Sequence, residues 1–183
     1  MPRRRILTLL GVVALATAAT GTAIAVTTPR HASATFVDAT GNVIGWARLT
    51  EDGTSRVHVS VHVGGLTAGR HGIHIHAVGA CSPTFLAAGP HYNPLGRQHG
   101  LENPLGAHAG DLPNLVVNAA GVGHLDATTE GVTLSAGPTS LFDMTPNAIG
   151  SAFIIHADED DQFDNATNGH SGARVACAVI EAE

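Results

Sequence analysis

The stretch Arg56-Val-His-Val-Ser-Val-His-Val63 alternates apolar and polar residues without a fault. Successive side chains on a strand point to opposite faces, so Val57, Val59, Val61 and Val63 share one face. Similar short runs occur at Val43–Leu49, Gly72–His76, Leu115–Asn118, Val132–Leu134, Ala152–His156 and Arg174–Ile180. Gly, Pro, Asn and Asp separate them, and the period-two pattern starts at about Thr35. No segment carries a convincing amphipathic helical period. The pattern predicts an all-β fold: a Greek-key β-sandwich or barrel of about eight antiparallel strands.

One stretch breaks the rhythm. Residues 77–113 carry almost no strand signal and contain Pro83, Pro90, Pro94, Pro104 and Pro113. A structureless loop of this length in a compact domain needs a functional reason. A bound metal that ties the loop down supplies one, because His91, His99, His108 and Asp111 all lie inside it. Residues 157–173 form a second, shorter loop, acidic first and then rich in Asn and Gly.

The histidines fall into an array: His74-x-His76, then His91, His99, His108 and Asp111, then His156 and Asp160. His74 and His76 are two apart on a strand, so both rings leave one face with backbones roughly 6.6 Å apart. Imidazoles at that spacing can converge on one ion at about 2.0–2.1 Å. His58 and His62 are four apart, about 13 Å, too far to share an ion, and read as a solvated strand face. The three loop histidines and Asp111 form an N3O set that suits tetrahedral zinc. His156 ends an apolar strand, so its ring can turn in beside the His74/His76 pair, and an all-imidazole set suits copper. Seven ligands for two four-coordinate ions require one ligand to be shared.

Composition bounds the rest. The 183 residues suffice for one domain, residues 35–183, after an export signal, residues 1–34. Met1-Pro-Arg-Arg-Arg5 is a positive start, residues 6–26 are apolar, and small-residue cleavage candidates follow at Ala23-Ile-Ala25 and Ala32-Ser-Ala34. A retained N-terminal membrane anchor is the alternative. The expected location is the periplasm, the cell envelope or the extracellular space. Removal of residues 1–34 takes Arg3, Arg4, Arg5 and Arg30 and no acid, so the net charge moves from −6 to −10. That argues against nucleic-acid or anionic-membrane partners. Aromatics are only 4%, so the core must be mostly Val, Ile, Leu and Ala. The two cysteines, Cys81 and Cys177, point to one disulfide in an exported chain.

The motifs Gly72-Ile-His-Ile-His76, Gly89-Pro-His-Tyr-Asn-Pro94, His108-Ala-Gly-Asp-Leu112 and Gly172-Ala-Arg-Val-Ala-Cys177 occur in this order. In these the chain resembles the copper/zinc superoxide dismutases, from about Thr35 to Ile180. The long gap from Cys81 to His91 resembles their bacterial, exported branch. The resemblance implies a copper ion on His74, His76, His91 and His156. It implies a zinc ion on His91, His99, His108 and Asp111, with His91 as the bridge. It makes Asp160 a hydrogen-bonded link between His74 and His99, Arg174 the residue that attracts the substrate anion, and Cys81–Cys177 the disulfide that ties the loop to the last strand.

The activity implied is the conversion of superoxide to dioxygen and hydrogen peroxide by alternate reduction and oxidation of copper, with His91 as proton donor. No protein partner is implied, and homodimerisation stays open. His71 lies on the strand face opposite His74 and reads as hydrogen-bonded core. His31 leaves with the signal, His124 reads as surface, and His170 lies in the substrate-side loop. With no lysine in the chain, attraction of an anion rests on Arg174 and the metal charge. A copper-buffering envelope protein on the same fold is the alternative function; it needs neither the zinc ligands nor Arg174.

Overall fold

The computed structural model describes residues 30–142 and 150–183. The described residues form nine strands: β1 (Arg30–Asp38), β2 (Val43–Glu51), β3 (Val57–Val63), β4 (Gly69–His71), β5 (Ile73–His76), β6 (Leu115–Val117), β7 (Gly123–Thr129), β8 (Ala152–His156) and β9 (Arg174–Ala182). They form one sheet in the order β4-β6-β7-β3-β2-β1-β9-β8-β5. Every pairing is antiparallel. The two edge strands, β4 and β5, are consecutive in the chain and separated only by Gly72. The sheet therefore curls until its edges meet at that residue, giving a nearly closed barrel. A Cβ on Gly72 would lie 2.8 Å from the Ser171 Cβ, so the junction tolerates no side chain.

The strand that decided the fold behaves as its pattern requires. Val57, Val59 and Val61 are fully buried and Val63 nearly so, while His58 is exposed. Valine suits this place because its branched Cβ favours extended backbone. The same alternation puts Phe36, Leu49, Ile73, Ile75, Leu115, Phe153 and Ile155 inside the barrel. Phe36 and Phe153 pack with ring centroids 5.9 Å apart.

Strand β8 is buried on both sides. Ala152 and Ile154 face away from the barrel and meet Ala88, Cys177, Cys81 and Phe85 beneath the long loop. β5 lies beside it in register, with His74 opposite Ile154 and His76 opposite Ala152. His74 and His76 thus leave the outer wall of the barrel, under the loop. This alternation places the candidate site outside the barrel core.

Three sequence expectations change. Residues 132–134 are not a strand: they make a single parallel bridge, Thr133 to Ser140. Val132 and Leu134 are buried, but the Glu51 carboxylate takes the backbone N–H groups of Leu134 and Ser135 that a strand neighbour would take. The run Gly72–His76 is interrupted at Gly72, for the closure reason given above. The period-two pattern read from about Thr35 extends back to Arg30, where β1 begins in the described residues, and Ala32 and Ala34 are core residues. A chain cut after Ala34 would lack the first five residues of β1, whereas the candidate Ala23-Ile-Ala25 lies outside the described residues.

Candidate metal centre

The long loop returns to β5 twice, and each return delivers a metal-ligand type. His91 bridges to His76, and the next residue fixes the register through Tyr92 N–H to Ile75 O at 2.8 Å. The Tyr92 hydroxyl donates to Ser140 O at 2.9 Å and anchors that turn. Asp111 bridges to His74, and the Ile75 N–H donates to Gly110 O at 2.8 Å. A Cβ on Gly110 would lie 2.2 Å from Ile75 O, so only glycine lets the backbones approach this closely.

His74, His76, His91 and His156 bring their donor atoms within 4.8 Å of one another, and all four are buried. Three of them have their tautomers set from behind. His74 Nε2 donates to Asp160 Oδ2 at 2.5 Å, His76 Nδ1 to Gly89 O at 2.8 Å, and His156 Nδ1 to Gly172 O at 3.1 Å. The opposite nitrogens, His74 Nδ1, His76 Nε2 and His156 Nε2, are buried without a partner. A buried polar atom left unpaired costs about 1–3 kcal/mol, so three aimed at one place require a common partner. Each carries a lone pair, because the ring proton is on the other nitrogen. One cation can take all three lone pairs, and an all-imidazole set suits copper.

Burial pushes the His74 ring down to about 3, His76 to about 2 and His156 to about 4. Burial also lowers His91. The His74, His76 and His156 rings stay neutral across the ordinary pH range, so each can bind a metal without losing a proton.

A second cluster adjoins the first. The Nδ1 atoms of His91, His99 and His108 lie 3.0, 3.2 and 3.3 Å from Asp111 Oδ1. His91 Nδ1 and His108 Nδ1 are 3.4 Å apart. A regular tetrahedron with edges of this length has its centre about 2.0–2.1 Å from each corner, the zinc distance. His74 also brings a donor within 4.8 Å of His91, His99 and Asp111. Its Nε2 is occupied by Asp160 and its Nδ1 faces the first cluster, whereas His108 Nδ1 lies on the same Asp111 oxygen as His91 and His99. Burial works to raise the Asp111 carboxyl, but the His108, His91 and His99 rings hold it well below the usual carboxylate range.

Asp160 joins the clusters. Its Oδ2 accepts from His74 and its Oδ1 from His99 Nε2 at 3.1 Å. Burial works against a charge on His99, but Asp111 and Asp160 outweigh it and push the ring up to about 9. Arg174 lies alongside. Its Nη1 donates to Phe85 O and its Nη2 to Gly89 O, both at 2.7 Å. Gly89 O also accepts from His76, so one carbonyl positions both the arginine and a copper-type ligand. The segment carrying Phe85 and Gly89 is held to β9 by the Cys81–Cys177 disulfide, with Cα atoms 5.8 Å apart.

The chain's residues 43–180 match the family model for copper/zinc superoxide dismutase. The chain belongs to the copper/zinc superoxide dismutase family. Superoxide dismutase [Cu-Zn] 2 of Mesembryanthemum crystallinum is 37% identical over 149 residues, 79% of this chain and 90% of that protein. An extracellular superoxide dismutase [Cu-Zn] of Brugia pahangi is 34% identical, over 76% of this chain and 70% of that protein. A superoxide dismutase-like protein from Bacillus subtilis shares the fold with a TM-score of 0.73 and 35% identity, covering 80% of this chain and 96% of that one. Membership makes the protein an enzyme acting on superoxide, with copper and zinc as cofactors.

All eight residues of the sequence array converge in one centre, which suits the family's two cofactors. The histidines outside the array do not join it. His71 is buried, with Nδ1 2.7 Å from His156 O and Nε2 2.9 Å from Thr67 O. His62 packs between Trp46 and His124 with tilted rings, at centroid distances of 4.5 and 4.2 Å. His31 lies in β1, against Thr50. His170 pairs with Asp161 at 3.0 Å, on the surface.

The acidic run beside the copper-type cluster is largely occupied. Glu159 pairs with Arg70, Asp160 is buried between two rings, and Asp161 faces His170. Sequence reasoning missed the carbonyls of Gly89 and Gly172, which set two ring orientations. It also missed Asn114. Backbone acceptors carry no side-chain signal, and Asn114 finds its partner 46 residues away.

Proposed function

We propose that this protein is an exported superoxide dismutase that binds copper on His74, His76, His91 and His156 and zinc on His91, His99, His108 and Asp111. The observation that supports it is the convergence of three orphaned, buried imidazole nitrogens beside an N3O cluster gathered on Asp111, with His91 in reach of both. When bound, copper supplies the one-electron exchange that turns one superoxide into dioxygen and a second, with two protons, into hydrogen peroxide, while zinc holds the bridging ring.

The chain's own groups do the rest. Arg174, fixed by two carbonyls, presents a cation to the incoming anion. His91 holds a proton on its copper-facing nitrogen in one half of the cycle and gives it to the reduced substrate in the other. Solvent gives the second proton. Asp160 keeps the His74 and His99 rings in place. Export is supported by the disulfide and by the extracellular relative, and cleavage after Ala25 would leave β1 whole.

The test is turnover per copper. Protein loaded with both metals and given repeated pulses of superoxide should remove many equivalents for each copper ion. A copper-buffering protein would consume no more than about one, and that result would refute the proposal.

A further inference from the structure

We infer that Asn114 is a positioning residue of the two-metal centre, acting through the backbone of Asp160. The inference rests on the copper-and-zinc reading above. Asp160 reaches a ring in each cluster through its two carboxylate oxygens. Such a bridge fixes the rings only if its own backbone is fixed. Asp160 belongs to the loop of residues 157–173, which contains no strand or helix to hold it.

Asn114 supplies the missing neighbour. Its Nδ2 donates to Asp160 O at 2.8 Å, and its Oδ1 accepts from Asp160 N–H at 2.9 Å. One side-chain amide thus takes both polar groups of a single residue's backbone, as a paired strand would. Only an amide offers one donor and one acceptor side by side; an aspartate would oppose an anionic oxygen to Asp160 O. Asn114 is 5% exposed and Asp160 1%, so water does not compete for these bonds.

Asn114 is itself well held. It immediately precedes β6, whose Leu115 is fully buried and pairs with His71 on β4. The same short segment carries Asp111 at its other end. Asn114 therefore refers the position of Asp160 to the barrel wall. One further contact holds the Asp160 side chain: Gln162 N–H donates to Oδ1 at 2.7 Å. A Cβ on Gly169 would lie 1.9 Å from the same oxygen, so a side chain there would displace the carboxylate.

The experiment uses the protein loaded with copper and zinc, and measures zinc affinity by competition with a chromophoric chelator. Loss of an outer partner of a metal ligand typically weakens metal binding about 10–100-fold, and Asn114→Ala should fall in that range. Asn114→Asp, which keeps the size and one acceptor, should weaken it in the same direction and serves if the alanine variant does not fold. Added to Asp160→Ala, Asn114→Ala should change zinc affinity no further, because both act on the same link. A purely structural asparagine would lower unfolding stability and leave zinc affinity unchanged. Unchanged affinity in either single variant, or additive losses in the double variant, overturns the inference and leaves the two-metal reading standing. A parent protein that takes up neither metal overturns both.

Discussion

The metal-free protein should be strongly acid-sensitive, and the size of the effect follows from three rings. His74, His76 and His156 are held neutral by burial down to about 3, 2 and 4. In the unfolded chain each would titrate near 6.5. Below 6.5 the unfolded chain therefore binds more protons than the folded one, and stability falls as pH falls. Between pH 6.5 and 4.5 each ring contributes a loss of about 2 kcal/mol, so the three together cost about 6 kcal/mol. His91, also lowered by burial, adds to the loss in the same direction.

His99, Asp111 and Asp160 do not offset it. His99 is raised to about 9, so its contribution is fully present below 6.5 and is lost only as pH rises through 9. Asp111 and Asp160 are held below the usual range, so their contributions begin to go only below about pH 4. A loss of about 6 kcal/mol is half or more of a typical domain's stability. The assay is urea unfolding of metal-free, disulfide-intact protein at pH 6.5 and 4.5, followed by circular dichroism. With a slope of about 2 kcal/mol per molar, the midpoint should drop by roughly 3 M or the fold should be lost. A fall of less than about 2 kcal/mol would refute the claim that these rings are neutral and buried.

Arg174→Ala should lower the rate of superoxide removal at low salt and flatten its dependence on ionic strength, with copper content unchanged; an unaltered rate at low salt would show that Arg174 does not guide the anion. Replacing Cys81 and Cys177 by serine opens a loop of sequence separation 96. That should cost at most about 4–5 kcal/mol in urea unfolding. It should also impair activity, because the Phe85 and Gly89 carbonyls that hold Arg174 sit in the freed segment. A chain starting at Thr35 should unfold more easily than one starting at Val26, since it lacks the buried Ala32 and Ala34 and half of β1. Equal melting temperatures would mean that those residues add nothing to the barrel.

The sequence reads well where one face of a strand is apolar and the other polar. Val57 to Val63 and the His74/His76 pair are of that kind, and both lie where the period puts them. The polar array was readable because imidazole and carboxylate at these intervals have few other uses. β7 was not readable. Its outward residues His124, Asp126 and Thr128 are polar, but inward it offers only Leu125 and the half-buried Ala127. Val132 and Leu134 misled in the opposite sense, since burial without a strand partner gives the same alternation. The break at Gly72 depends on the closure of a nine-stranded sheet, a property of the whole chain. The orientation of the copper-type rings depends on backbone carbonyls at Gly89 and Gly172, which any residue could supply in principle.

The central claim is that one centre holds two different metals and that the copper side carries the activity. Metal analysis of the mature protein and of His156→Ala, joined to a superoxide assay of both, tests it most directly. The account predicts copper and zinc in equal amounts in the parent protein. It predicts zinc retained but dismutation lost in the variant, because His156 Nε2 serves only the copper-type cluster. A parent protein without metal, or a His156→Ala variant with full activity, would contradict it.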